Sequence, residues 1–249
     1  MNNDDTRYLF LDFDGVICDS ALECWETSIR AYKDLREGSG VRFSSEDKTL
    51  FLEYRPFIRN GEDYIILLEA IREGIPLKNQ DDFDALHARF TEKELIVFGK
   101  AFLDGRKGLF EEDREGWLNM NPLFPQVEET VRRCADSSRA RILSTKPVDY
   151  IRMILEHWGV QWDESRITYT PGKRKTAYIA DFLDTQAGKD KGSAAFVEDQ
   201  YANLRTREDP RIAGYLAEWG YMQEGWRNNP EGFRVIGPED FARLAADYC

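Results

Sequence analysis

The sequence predicts an α/β fold, an open and mainly parallel sheet interrupted by an all-helical insertion. Three observations carry that expectation. Short apolar runs recur along the 249 residues at 8–11, 139–143, 167–169, 194–197, 214–217 and 233–236. Stretches with helical spacing separate the later runs, the alternation that builds parallel sheets. Residues 20–121, lying between the first run and the second, show helical spacing alone.

Taken in order, Tyr8-Leu9-Phe10-Leu11 reads as a buried strand that stops at Asp12-Phe13-Asp14-Gly15, with the glycine opening a turn. Helical stripes follow at Leu22/Trp25/Ile29, Tyr64/Leu67/Leu68/Ile71 and Phe83/Leu86/Phe90, divided by Gly38-Ser39-Gly40 and Gly74-Ile75-Pro76. Asn121-Pro122-Leu123-Phe124-Pro125 reads as a stiff connector. Beyond it, 126–137 reads as a helix and 139–143 as a strand entering Ser144-Thr145-Lys146-Pro147. Pro147 suits the first turn of a helix whose apolar face is Val148/Ile151/Leu155/Trp158 and whose stop is Gly159. A brief strand at 167–169 precedes a helix from Lys175 to about Leu183. The run Ala194-Ala195-Phe196-Val197 then ends at Glu198-Asp199. Weaker strands at 214–217 and 233–236 and a helix over 238–248 complete the chain.

Composition removes several chemistries. The chain has 34 Lys and Arg against 46 Asp and Glu, a net charge of −12. A protein that tracks phosphates along a nucleic acid shows a basic face, so no nucleic-acid partner is expected. Residues 20–121 hold 15 basic and 21 acidic residues, so the acidity is shared between insertion and remainder. Two histidines cannot build a three-His zinc site, and both His87 and His157 lie in helical patterns. Proton chemistry therefore falls to carboxylates. No run approaches the roughly 18–20 apolar residues that span a bilayer, so no membrane partner is expected. The polar, acidic Met1-Asn2-Asn3-Asp4-Asp5 does not read as a secretory signal. Cys18, Cys24, Cys134 and Cys249 show no CxxC pairing. A reduced, cytoplasmic protein is expected.

Open parallel sheets bind ligands beyond the carboxyl ends of their strands. Here those ends carry Asp12/Asp14, Ser144/Thr145 and Glu198/Asp199. Two acidic pairs converging on one sheet edge make the oxygen-rich setting that Mg²⁺ favours. Taken alone, an Asp-x-Asp-Gly is an ordinary turn; the convergence gives it weight.

The motifs together resemble the haloacid dehalogenase superfamily, specifically its phosphoglycolate phosphatase-like members with a helical cap. Asp12-Phe13-Asp14-Gly15-Val16, followed by Cys18-Asp19-Ser20, is similar to that family's first motif, and Leu143-Ser144-Thr145-Lys146-Pro147 to its second. Lys175, opening Lys175-Thr176-Ala177-Tyr178-Ile179, stands where the third-motif lysine is found. Phe196-Val197-Glu198-Asp199 resembles the fourth motif. The resemblance covers about residues 7–20 and 122–247. It implies a Rossmann-like core of residues 1–19 and 122–249 with a cap of residues 20–121. Three positions depart from the family pattern. Glu198-Asp199 replaces the commoner Gly-Asp, Asn203 stands where a further Asp is frequent, and Ser144 replaces the more frequent Thr. Each departure keeps the groups that the chemistry requires.

The resemblance implies a phosphatase acting on a small phosphorylated metabolite through an aspartyl-phosphate. Asp12 would be the nucleophile, and Asp14 the acid for the leaving group and then the base for water. Ser144, with Thr145 beside it, would bind the phosphoryl group. Lys175 would place a cation between nucleophile and phosphate, with Lys146 and Lys173 as alternative lysines. Mg²⁺ would be held by Asp12, the Asp14 carbonyl and Asp199. Asp14 disfavours a dehalogenase or a phosphonate hydrolase. A phosphosugar mutase shares the residues, and a non-catalytic phospho-ligand module is the remaining alternative. In the insertion, Arg55 and Arg59 are expected chiefly to pair with surface carboxylates.

Overall fold

In a computed structural model of the protein, which describes residues 7–37, 40–171, 174–186, 188, 191–205, 209–228 and 232–249, the apolar runs form one six-stranded sheet. Its strands are β1 (Arg7–Leu11), β2 (Ala140–Ser144), β3 (Ile167–Tyr169), β4 (Ser193–Glu198), β5 (Ile212–Ala217) and β6 (Phe233–Ile236). They lie in the order β3-β2-β1-β4-β5-β6 and every neighbouring pair is parallel. The central β1 and β4 are almost continuously apolar, as strands covered on both faces must be. The readings placed on the polar start of the chain, on Gly38 and Ser39 of one break, and on Lys173 lie outside the described residues.

The chain divides into two compact units, Met1–Asp19 with Pro122–Cys249, and Ser20–Asn121. In the first, the sheet is served by α7 (Glu128–Asp136), α8 (Val148–His157), α9 (Lys175–Gln186), α10 (Tyr201–Arg205) and α11 (Pro238–Ala246). Ile179 and Leu183 of α9 pack with Phe10, Leu143, Ala194 and Phe196, so α9 covers the sheet face that bears the even-numbered residues of β1 and β4. Pro147 stands just before the first helical residue of α8, and Gly159 follows its end at φ +69°.

The second unit comprises α1 (Ala21–Leu35), α2 (Ser45–Tyr54), α3 (Asp63–Glu73), α4 (Gln80–His87), α5 (Glu92–Glu112) and α6 (Arg114–Asn119), with a 3₁₀ turn at Arg55–Phe57. No strand lies among its described residues. Capping boxes at Ser44/Asp47 and Thr91/Glu94 start α2 and α5, and left-handed Gly74 stops α3. Trp25, Phe51, Tyr64 and Phe102 form its aromatic core, with Tyr64 stacked on Phe102 at 4.7 Å between ring centres. A buried ion pair crosses that core. Arg106 of α5 donates to Glu23 of α1 through Nε at 2.8 Å and Nη2 at 2.9 Å, and Thr27 and the Trp117 indole also donate to Glu23.

Three expectations for this unit are corrected. Leu22 is exposed, because the inward face of α1 runs through Cys24, Trp25 and Ala31 instead. Phe90 lies beyond the end of α4 and packs only partly against the core. Arg55 is buried with its guanidinium over the Tyr64 ring at 5.3 Å, since the 3₁₀ turn folds it inward; Arg59 does meet a surface carboxylate, Asp84, at 2.6 Å. His87 ends α4 with Nε2 3.4 Å from Asp63, and His157 ends α8 against Trp158.

Candidate active site at the carboxyl ends of the strands

The strand order reverses direction on either side of β1 and β4, and open α/β sheets place their ligands at such a crevice. Register then decides which side chains meet there. Leu11 of β1 is paired with Val197 of β4 and Ile142 of β2, and the Asp12 N–H donates to the Val197 carbonyl at 2.9 Å. One step further, Asp12 stands level with Glu198. Both follow Phe10 and Phe196 by two residues, so both point to the face covered by α9.

The first residue of α9 meets them. Lys175 Nζ lies 2.5 Å from Asp12 Oδ2 and 2.9 Å from Glu198 Oε2, and the ammonium is buried with both partners. Burial alone would lower the lysine's pKa. The Asp12 and Glu198 charges overcome it and raise the lysine above its ordinary value. Burial, reinforced by Glu198 and opposed by Lys175, holds the Asp12 carboxyl well above the usual carboxylate range. Glu198 is raised in the same way, with burial first and Lys175 opposing.

Asp199 completes the group. Carboxylate oxygens of Asp12, Glu198 and Asp199 lie within 4.8 Å of one another, all three residues buried. Three buried acids facing one buried ammonium carry surplus negative charge where desolvation makes charge costly. A hard divalent cation that takes carboxylate oxygens fits this donor set.

The turn after β1 is shaped to allow it. Gly15 has φ +84°, and a Cβ there would stand 2.2 Å from Asp199 Oδ2. Gly220 is equally close, since a Cβ would meet the Gly15 carbonyl at 2.1 Å. The turn is held by Ile17 and Cys18 N–H groups donating to the Phe13 carbonyl, each at 2.9 Å. The Trp219 indole donates to the Val16 carbonyl at 2.9 Å and the Tyr221 hydroxyl to Asp19 at 2.8 Å. The Phe13 N–H donates to Asp12 Oδ1 at 2.7 Å, fixing the carboxyl's rotation.

Asp14 pairs with a second lysine. Its Oδ1 accepts from Lys146 Nζ at 2.8 Å, and Lys146 is almost wholly buried. Ser144, buried at the end of β2, accepts from the Lys146 N–H through Oγ at 3.1 Å, and its carbonyl accepts from the Thr170 N–H at 2.9 Å. Thr145 is exposed beside it. Asn203 sits half-buried on α10, its N–H donating to the Gln200 carbonyl at 3.1 Å.

The structure thus brings Asp12, Lys175 and Asp199 together and adds Glu198, while Asp14 pairs with Lys146. In the sequence Glu198 stands as a departure from the family pattern and Lys146 as an alternative to Lys175. The signal for Glu198 is its place at the end of the apolar run of β4, as Asp12 stands at the end of that of β1. The signal for Lys146 was its place two residues after Ser144.

No protein-family model and no curated relative matches this sequence. Solved structures do match over nearly the whole chain. A predicted phosphatase from Clostridium acetobutylicum is 13% identical, with a TM-score of 0.61, covering 97% of this chain and 99% of that one. A haloacid dehalogenase-like family hydrolase from Streptococcus pneumoniae is 14% identical, with a TM-score of 0.59 and coverage of 96% and 97%. A predicted phosphoglycolate phosphatase from Haemophilus somnus is 17% identical, with a TM-score of 0.57 and coverage of 98% and 99%. With its site at the reversal between β1 and β4, the chain has the fold of the haloacid dehalogenase superfamily of hydrolases.

Proposed function

We propose that this protein is a Mg²⁺-dependent phosphatase that hydrolyses a small phosphorylated metabolite through an aspartyl-phosphate on Asp12. The observation that carries the reading is the buried constellation of Asp12, Lys175, Glu198 and Asp199 at the reversal of strand order. A fold alone does not specify a reaction; the residues at its site do.

In this reading an Asp12 oxygen attacks phosphorus and the bond from phosphorus to the leaving oxygen breaks, with Asp14 giving that oxygen its proton. Water then attacks phosphorus, Asp14 takes a proton from it, and Asp12 is released as a carboxylate with inorganic phosphate as product. Lys175 favours the ionised form of Asp12, against burial and Glu198, and offsets the charge of the incoming phosphoryl group. Lys146 holds Asp14 in place between its two proton transfers. Ser144 and Thr145 at the end of β2 bind phosphoryl oxygens. Asp12, the Asp14 carbonyl, Asp199 and Glu198 would hold Mg²⁺, which would neutralise charge between the carboxylates and the phosphate.

The experiment is a phosphate-release screen over sugar phosphates, nucleotides and small phospho-acids, run with Mg²⁺ and with a chelator. Release of phosphate that needs Mg²⁺ and falls roughly 10³-fold or more in Asp12→Asn is expected. Retained activity in Asp12→Asn would remove the nucleophile, and isomerised sugar phosphate in place of free phosphate would indicate a mutase.

A further inference from the structure

Outside the site, two cysteines far apart in sequence meet. Cys134 lies in α7 and Cys249 follows α11, and their sulfurs are 2.9 Å apart across a separation of 115 residues. A covalent disulfide has its sulfurs about 2.05 Å apart, so closing the bond needs a shift of under about 1 Å. The approach is held from both sides. The Ser137 hydroxyl, just after α7, donates to the Tyr248 carbonyl at 2.5 Å. The N–H groups of Tyr248 and Cys249 both donate to the Ala245 carbonyl at 2.9 Å. The buried Tyr248 ring lies under the Arg7 guanidinium at 5.5 Å.

The two thiols differ in access. Cys249 is exposed while Cys134 is fully buried, as are Cys18 and Cys24. An oxidant in solution therefore reaches Cys249 first, and the nearest second thiol is Cys134. The hydrogen bond with Cys134, working against burial, draws the Cys249 thiol below its ordinary pKa and so favours the reactive thiolate.

We infer that Cys134 and Cys249 are a modification site, a dithiol that a low-molecular-weight disulfide such as oxidised glutathione converts to an intramolecular disulfide stapling α7 to α11. The Cys249 thiolate attacks one glutathione sulfur, forming a mixed disulfide and releasing one reduced glutathione. The Cys134 thiolate attacks the Cys249 sulfur of that mixed disulfide and releases the second. Two protein thiols are oxidised and one glutathione disulfide is reduced to two thiols. The bond closes a long loop of the chain, which constrains the unfolded state most. The inference stands apart from the phosphatase reading, since neither sulfur belongs to that site.

The test equilibrates the purified protein in glutathione buffers running from reducing to oxidising. Thiols are then counted under denaturing conditions and the peptides mapped by mass. The four cysteine thiols of the reduced chain should fall to two, with residues 134 and 249 in one cross-linked peptide. The melting temperature should rise by roughly 5–15 °C, and dithiothreitol should reverse it. Cys249→Ser should show no shift, and Cys134→Ser should instead keep a stable glutathione adduct on Cys249. Four thiols at the oxidising limit, a lasting glutathione adduct on wild-type Cys249, or a dimer linked through Cys249 would each overturn the inference.

Discussion

Lys175 Nζ stands 2.5 Å from Asp12 Oδ2, with Glu198 on its other side at 2.9 Å, and the three groups are buried together. The ammonium draws the Asp12 carboxyl down against the burial and the Glu198 charge that raise it. Lys175→Met should therefore lower turnover by at least about 100-fold at neutral pH. The loss should ease as pH rises, because removing the cation pushes Asp12 further up. A pH–rate profile of wild type and variant checks both statements, and a variant with unchanged turnover would show that Lys175 is structural.

Gly15 approaches Asp199 too closely for any side chain, and its φ of +84° penalises one independently. Gly15→Ala should displace Asp199, costing stability by at least about 1 kcal/mol from the left-handed backbone alone. It should also raise the Mg²⁺ concentration needed for half-maximal activity. Magnesium titration of phosphate release, set beside a denaturant melt, separates the two effects.

In the helical unit, Arg106 neutralises Glu23 where neither meets solvent. Arg106→Met leaves a buried carboxylate unpaired and should destabilise by about 3–5 kcal/mol. Glu23→Leu added to Arg106→Met should recover most of that loss, since the apolar pair removes both charges. Urea unfolding followed by circular dichroism measures the difference.

Asp63 opens α3 almost fully buried, and burial pushes its carboxyl up to about 6. Hydrogen bonds from the Arg59 and Asn60 N–H groups and the Arg59 charge oppose this, Glu62 adds to it, and His87 Nε2 lies 3.4 Å away. A carboxyl raised on folding contributes its full stability below about pH 4, its unfolded value, and loses it as pH rises through about 6. Asp63→Asn removes that titration. The variant should gain stability relative to wild type between pH 4 and 6 and hold the gain, about 2–3 kcal/mol at most, above it. Paired melts across pH 4–8 test this; a difference independent of pH would contradict it.

Much of the sheet was legible because β1, β4 and the other strands are short apolar runs ending in polar residues. Their ends gave Asp12, Ser144 and Asp199 their place on one edge. The partnerships were not legible. That Glu198 stands level with Asp12 follows from the Leu11–Val197 register, and that Lys146 serves Asp14 follows from the turn at Gly15. Both are tertiary facts, as is the inward folding of Arg55, where a 3₁₀ turn overrode the ordinary preference of arginine for the surface.

The central claim is that Asp12 carries the phosphoryl group, and trapping it tests that claim most directly. Protein quenched during turnover of a substrate found by the screen would be treated with borohydride, which reduces an acyl phosphate to an alcohol, and the peptide bearing residue 12 analysed by mass. The account predicts the reduced product at Asp12, dependent on substrate and lost in Asp12→Asn. Phosphate release at full rate with no modification at Asp12, or modification at another residue, would contradict it.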